Sequence, residues 1–223
     1  MAPRCSASDP RRSTSPRRRP ALQGYAATLV AVAASAFATA GASPARAASP
    51  PVATTSSGRL VGVADATTDR YLGVRYAVAG RWQLPQTPAK SNATVDATKP
   101  GPACAQAAAL PGSDETASKT EDCLFLNVTV PAGTKRGDDL PVMVWWHGGG
   151  FQSGSGAIYD AQRLASRGHV AVVTVNYRLG IFGYLGLPGL RGGGDFGFAD
   201  QIAATRWAKR NSRAFGGDPD RLT

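Results

Sequence analysis

Apolar positions in this chain fall into short unbroken runs separated by turn-forming residues, and a helical spacing emerges only near the end. The most distinct run is Leu140-Pro-Val-Met-Val-Trp-Trp146, bounded by Asp138-Asp139 in front and His147 behind. A run of this kind, β-branched and aromatic with no polar alternation, predicts a strand buried on both faces. His169 to Asn176 reads in the same way, with His169 at the start of the buried strand, and Cys123 to Val130 predicts another strand. Earlier, Gly58 to Val63 and Arg70 to Ala77 are strand-like runs divided by Asp and Thr turn residues. Asp160 is placed to cap a helix that runs through Arg167 and ends at Gly168. A longer helix is expected over about 198–213, with Ile202, Ala204 and Trp207 near helical spacing. Asp200 falls in its first turn and Lys209, Arg210 and Arg213 in its last turns, each favourable against the helix dipole. Residues 80–120, rich in proline, read as a long loop pinned at Cys104. Strand, helix, strand, helix with buried strands predicts the α/β class, with antiparallel strands leading into a mostly parallel sheet flanked by helices.

The formal charge of +10 over 223 residues suggests nucleic-acid binding until it is located. Residues 1–47 hold seven arginines and one acid, a net of +6, which leaves 18 basic and 14 acidic residues, a net of +4, for the remainder. The basic character is mostly a tail, so no nucleic-acid partner is expected. That tail reads as an export signal. An arginine-rich segment to Arg19 precedes the uncharged, alanine-rich stretch Ala21–Ala42, and Ala45-Arg46-Ala47 is a small-x-small cleavage site. The expected mature chain is secreted after cleavage behind Ala47, with 48–57 as a flexible Ala/Ser/Thr/Pro lead-in and 58–223 as a partial domain. A disordered basic leader or an uncleaved anchor are the other readings of 1–47. No later stretch approaches transmembrane length. Cys5 would leave with the signal, while Cys104 and Cys123 remain as an even pair, either bonded in an oxidising compartment or two free buried thiols.

The strand at Leu140–Trp146 stops at Gly148, Gly149 and Gly150. Three glycines do not continue a strand, because each loses much backbone entropy and none packs a side chain. They can turn tightly and point backbone N–H groups at one spot, which suits a substrate oxyanion. A plain glycine turn after a core strand accounts for the same residues. A phosphate cradle is disfavoured, since no Gly-x-x-x-x-Gly-Lys-Ser/Thr follows.

Five blocks in order resemble the type-B carboxylesterase family of the α/β-hydrolase fold. They are Gly73-Val-Arg-Tyr-Ala77; Glu121-Asp-Cys-Leu-Phe-Leu-Asn-Val128; Val144-Trp-Trp-His-Gly-Gly-Gly-Phe151; Asn176-Tyr-Arg-Leu-Gly-Ile-Phe-Gly-Tyr184; and Asp200-Gln201 leading to Trp207 and Phe215-Gly-Gly-Asp-Pro219. The resemblance covers about Gly58 to the last residue, the N-terminal part of that fold. It implies that Gly149 and Gly150 donate oxyanion N–H groups and that Phe151 contributes to substrate binding. It also implies that Cys104 and Cys123 form the family's first disulfide, and that Arg75 with Glu121 and Arg178 with Asp200 are structural ion pairs. Asp195 stands where the family usually has Asn, and Trp146 replaces a usual aliphatic.

The family's nucleophile lies in a Gly-x-Ser-x-Gly elbow, which does not occur within these residues. His147 belongs to the glycine block and His169 to a strand, so no Ser–His–acid relay can be assembled here. The expectation is a secreted serine esterase acting on a small-molecule carboxylic ester when full length. This chain then supplies the oxyanion loop without nucleophile, acid or base, and is inactive alone. The alternative is a catalytically silent binding or adhesion member of the same fold. Neither reading calls for a cofactor or a metal.

Overall fold

A computed structural model of the chain describes residues 49–107 and 117–223. The leader and its cleavage site at Ala45-Arg46-Ala47 lie outside the described residues. A small sheet comes first, ordered β1-β2-β5 from β1 (Val52–Thr55), β2 (Gly58–Val61) and β5 (Thr94–Asp96). The predicted flexible lead-in therefore contains a strand. Its Ser/Thr composition favours solvated coil, but antiparallel pairing with β2 and tertiary hydrogen bonds order it. Ser56 N–H donates to Asn211 Oδ1 at 2.8 Å, and the Trp207 indole N–H donates to Ser57 Oγ at 2.9 Å.

The main sheet has six strands. They are β3 (Val63–Ala64), β4 (Thr68–Arg75), β6 (Phe125–Pro131), β7 (Leu140–Trp146), β8 (Ala171–Val175) and β9 (Gly217–Leu222), in the order β3-β4-β6-β8-β7-β9. β3, β4, β6 and β8 pair antiparallel in turn, whereas β7 lies parallel to both β8 and β9. The fold is the expected α/β type with a mixed sheet, its parallel part confined to three strands.

One face of this sheet carries most of the core. Leu126, Val128 and Val130 of β6, Val142 and Val144 of β7, and Val173 and Val175 of β8 are all buried there. They pack with Ala204 and Trp207 of α3 (Phe196–Asn211). The opposite face is covered by α1 (Gln162–Gly168), which joins Ala161 and Ala165 to Val170 and Val172. Seven residues of helix span only about 10 Å, too little to cover the sheet. Trp145 is accordingly 43% exposed and Leu164 44%. The prediction that β7 is buried on both faces thus holds for its Val142 and Val144 face and fails for its Met143 and Trp145 face.

Two boundaries differ from the sequence reading in informative ways. α3 begins two residues early, so Asp200 is its fifth residue, fully buried, rather than an exposed first-turn acid. His169 does not start a buried strand. It ends α1 in the left-handed conformation, φ 50° and ψ 52°, exposed to solvent, and donates its N–H to the Ala165 carbonyl. Gly168 remains helical, so the left-handed capping position falls one residue later than the glycine suggests.

Arg178 pairs with Asp200 through two 2.8 Å hydrogen bonds from its guanidinium, with side chains 4% and 0% exposed. Burial of the carboxyl group is the largest influence on its pKa and pushes it up, against the lowering by the guanidinium and the Arg178 N–H. The second expected pair is corrected: Arg75 binds Asp122, and Glu121 binds Arg81. Arg75 lies opposite Phe125 in the β4–β6 register, which brings it beside Asp122, and the neighbouring Glu121 side chain goes to Arg81 instead. The two kinds of pair differ in energetic weight. Asp200→Ala strands a buried guanidinium and is expected to destabilise by about 3–5 kcal/mol, whereas Asp122→Ala breaks a largely exposed pair and is expected to cost under about 1 kcal/mol. Urea midpoints of the two variants, compared at unchanged m-value, check this contrast.

Candidate functional site

Ligands of open α/β sheets bind beyond the carboxyl ends of parallel strands, and the glycine loop leaves β7 at that end. Its backbone is unusual. Gly149, Gly150 and Phe151 have successive positive φ values of 111°, 59° and 62°. At Gly149 a Cβ would lie 2.1 Å from the Ser153 carbonyl oxygen, so only glycine fits. The Gly149 carbonyl accepts hydrogen bonds from Gln152 N–H at 3.0 Å and Ser153 N–H at 3.3 Å, which closes the turn. Phe151 in this region carries real strain, on the order of 1–3 kcal/mol. Two contacts offset it. Gly180 N–H, at the head of the short helix α2 (Gly180–Gly183), donates to the Phe151 carbonyl at 2.7 Å. The Phe151 ring also lies 4.8 Å from that of Tyr184.

The loop is anchored from β8 and the residues after it. His147 is buried, and its imidazole stacks on Tyr177 with centroids 4.4 Å apart. Its Nδ1 lies 2.8 Å from the Gly148 carbonyl, a contact that requires the proton on Nδ1. The Tyr177 hydroxyl donates to the His147 carbonyl at 2.7 Å. Asn176 Oδ1 accepts Gly156 N–H at 2.7 Å, and its Nδ2 donates to the Pro102 carbonyl at 2.9 Å. Burial pushes the pKa of Tyr177 up, and that of Tyr184 as well, with Tyr177, Asp200 and Asp195 adding to the latter. The Tyr184 hydroxyl is buried and makes no hydrogen bond among the described residues.

Among the described residues, the N–H groups of Gly149 and Gly150 donate to nothing, and both residues are solvent-exposed. Two unpaired amides on a turn held this firmly form a receptor for a negatively charged oxygen. Phe151, 52% exposed, stands next to them. Neither histidine is placed to act as a base toward this site. His147 is held within the loop's own packing, and His169 lies before the amino end of β8, the opposite end of the parallel strands.

The residues singled out from sequence thus separate into groups. Gly149, Gly150 and Phe151 come together in the loop. Cys104 and Cys123 are bonded to each other, 19 residues apart. Arg178 and Asp200 lie behind the site as a buried pair. Asn176, Tyr177 and Tyr184 were read only as parts of a family block, although each holds the loop. A polar Asn and an aromatic placed directly after an all-apolar strand was the available clue.

Residues 49–223 match the sequence profile of the Carboxylesterase family. The para-nitrobenzyl esterase of Bacillus subtilis (strain 168) is 39% identical over 182 residues, which cover 77% of this chain and 37% of that protein. The fumonisin B1 esterase of Sphingopyxis macrogoltabida is 40% identical over 184 residues, 77% of this chain and 34% of that protein. Among solved structures, an esterase from anaerobic Clostridium hathewayi superposes with a TM-score of 0.72 at 36% identity, over 77% of this chain and 37% of that one. The chain therefore spans little more than a third of the relatives it matches. With the family profile matched across 49–223, the chain belongs to the carboxylesterase family.

Proposed function

We propose that this chain carries the oxyanion-stabilising part of a secreted carboxylic ester hydrolase of the serine type. The observation that supports this most directly is the pair of unpaired N–H groups at Gly149 and Gly150, fixed in a strained turn beyond β7 in a member of the carboxylesterase family. The relatives are more than twice the length matched here, so the nucleophile, base and acid are assigned to sequence following Thr223.

In this mechanism a serine oxygen attacks the ester carbonyl carbon while a histidine takes the serine proton. The carbonyl π electrons move onto oxygen, and the resulting oxyanion receives the Gly149 and Gly150 N–H groups together with the N–H of the residue after the nucleophile. Collapse of this intermediate re-forms the carbonyl and expels the alcohol, which the histidine protonates. Water then releases the acid from the acyl-enzyme by the same steps. Each donor contributes about 2.7–4 kcal/mol to the transition state, and Phe151 lines the substrate side. The arginine-rich leader, the Ala45-Arg46-Ala47 site and the Cys104–Cys123 bond support export with cleavage behind Ala47.

Expressed from the complete reading frame, the protein is expected to hydrolyse a simple nitrophenyl ester above a heat-killed control, while residues 48–223 alone do not. Absence of hydrolysis by the complete protein would favour a silent binding member of the fold. Gly149→Ala forces the turn open, because the added Cβ collides with Ser153. It is expected to lower kcat by about 10²–10³-fold, read from steady-state kinetics. An unchanged kcat in that variant would remove Gly149 from the mechanism.

A further inference from the structure

We propose that Gln106 is a positioning residue for the glycine loop, setting the direction of the Gly149 and Gly150 N–H groups from the loop's far side. The proposal rests on the reading of those two amides as the oxyanion donors. Both ends of the Gln106 side-chain amide engage one backbone residue: Oε1 accepts Gly154 N–H at 2.7 Å, and Nε2 donates to the Gly154 carbonyl at 3.0 Å. A primary amide thus reproduces, across 48 residues of sequence, the two-point contact of a strand neighbour.

Gly154 is the right place for such a grip. It is buried, has φ 118°, and sits so close to the start of the loop that a Cβ there would lie 2.3 Å from His147 Nδ1 and 2.8 Å from the Gly148 carbonyl. Its neighbour Ser153 donates to the Gly149 carbonyl, so movement of Gly154 is passed by contact and by hydrogen bond to both sides of the turn. Packed interiors transmit displacement of this kind rather than absorbing it.

Gln106 is itself held on three sides. Its backbone exchanges two hydrogen bonds with Ser118, N–H to carbonyl at 2.8 Å and the reverse at 3.0 Å. Ser118 Oγ donates to the Ala103 carbonyl at 2.8 Å. Cys104, two residues before Gln106, is bonded to Cys123. Gln106 and Ser118 therefore face each other inside the loop that the disulfide closes. A purely structural role would be to satisfy the buried polar groups of Gly154. That role moves stability and leaves the chemistry alone, which makes the two roles separable by kinetics.

The test uses the protein expressed from its complete reading frame with a nitrophenyl ester as substrate. Gln106→Ala is expected to lower kcat by about 10–100-fold, the scale of a misplacement near 1 Å, with KM retained. Gln106→Glu keeps the acceptor for Gly154 N–H. In its ionised form it sets a carboxylate against the Gly154 carbonyl, and protonation restores the donor. Its kcat relative to wild type should therefore rise as pH falls from about 7 towards the ordinary glutamate range near 4.3. A structural role predicts a ratio independent of pH. Hydrogen exchange across residues 147–156 reads the loop whether or not the protein turns over, and Gln106→Ala should accelerate it. Unchanged kcat and unchanged exchange in Gln106→Ala, with Gly149→Ala impaired, overturns the proposal. An active wild type with Gly149→Ala unimpaired means instead that the oxyanion reading is at fault.

Discussion

Parallel pairing of β7 with β8, Val142 opposite Ala171 through Trp146 opposite Val175, is the constraint on which the site depends. It brings His147 and Gly148 alongside Asn176 and Tyr177, so the chain leaving one strand meets the chain leaving the other. The stacking of His147 on Tyr177, the Tyr177–His147 hydrogen bond and the grip of Asn176 on Gly156 all follow from that alignment. A slip of one residue would reverse the facing of every β8 side chain, moving Val173 and Val175 out of the core and Thr174 into it. The register of an apolar strand pair thereby becomes the register of two backbone amides.

Around this pair the molecule places its costliest groups in series. A strained Phe151 leans on Tyr184, and Tyr184 packs against Gly197 of α3. Arg178, just past the loop's anchors, is buried against Asp200 of the same helix. A loop rich in glycine would ordinarily be loose. This one is walled by an aromatic stack, a buried ion pair and a long helix, so its conformational freedom is removed by neighbours rather than by its own side chains. The exposed amides are then the parts left without a partner.

Much of this was legible in the sequence where composition was extreme. The bounds of Leu140–Trp146 emerge as read, because two aspartates and a histidine flank an apolar run. The order of antiparallel and parallel segments and the buried Arg178–Asp200 pair also stand. Other features depend on partners that local pattern does not encode. Val52–Thr55 looks like linker and becomes a strand because Asn211 and Trp207 reach it. Whether Arg75 meets Glu121 or Asp122 turns on one residue of backbone direction. Gln106 lies in a proline-rich stretch that reads only as loop, and its importance is set by Gly154, far along the chain.

The supports of the glycine loop come from widely spaced points: Gln106 lies 48 residues from its partner, Tyr177 30 and Asn176 20. Contacts of that separation form after local ones, because the intervening chain must first give up its freedom. The strand that leads into the loop can therefore pair before the loop has its final shape. In the order of assembly, the part of this chain closest to its chemistry is among the last to be set.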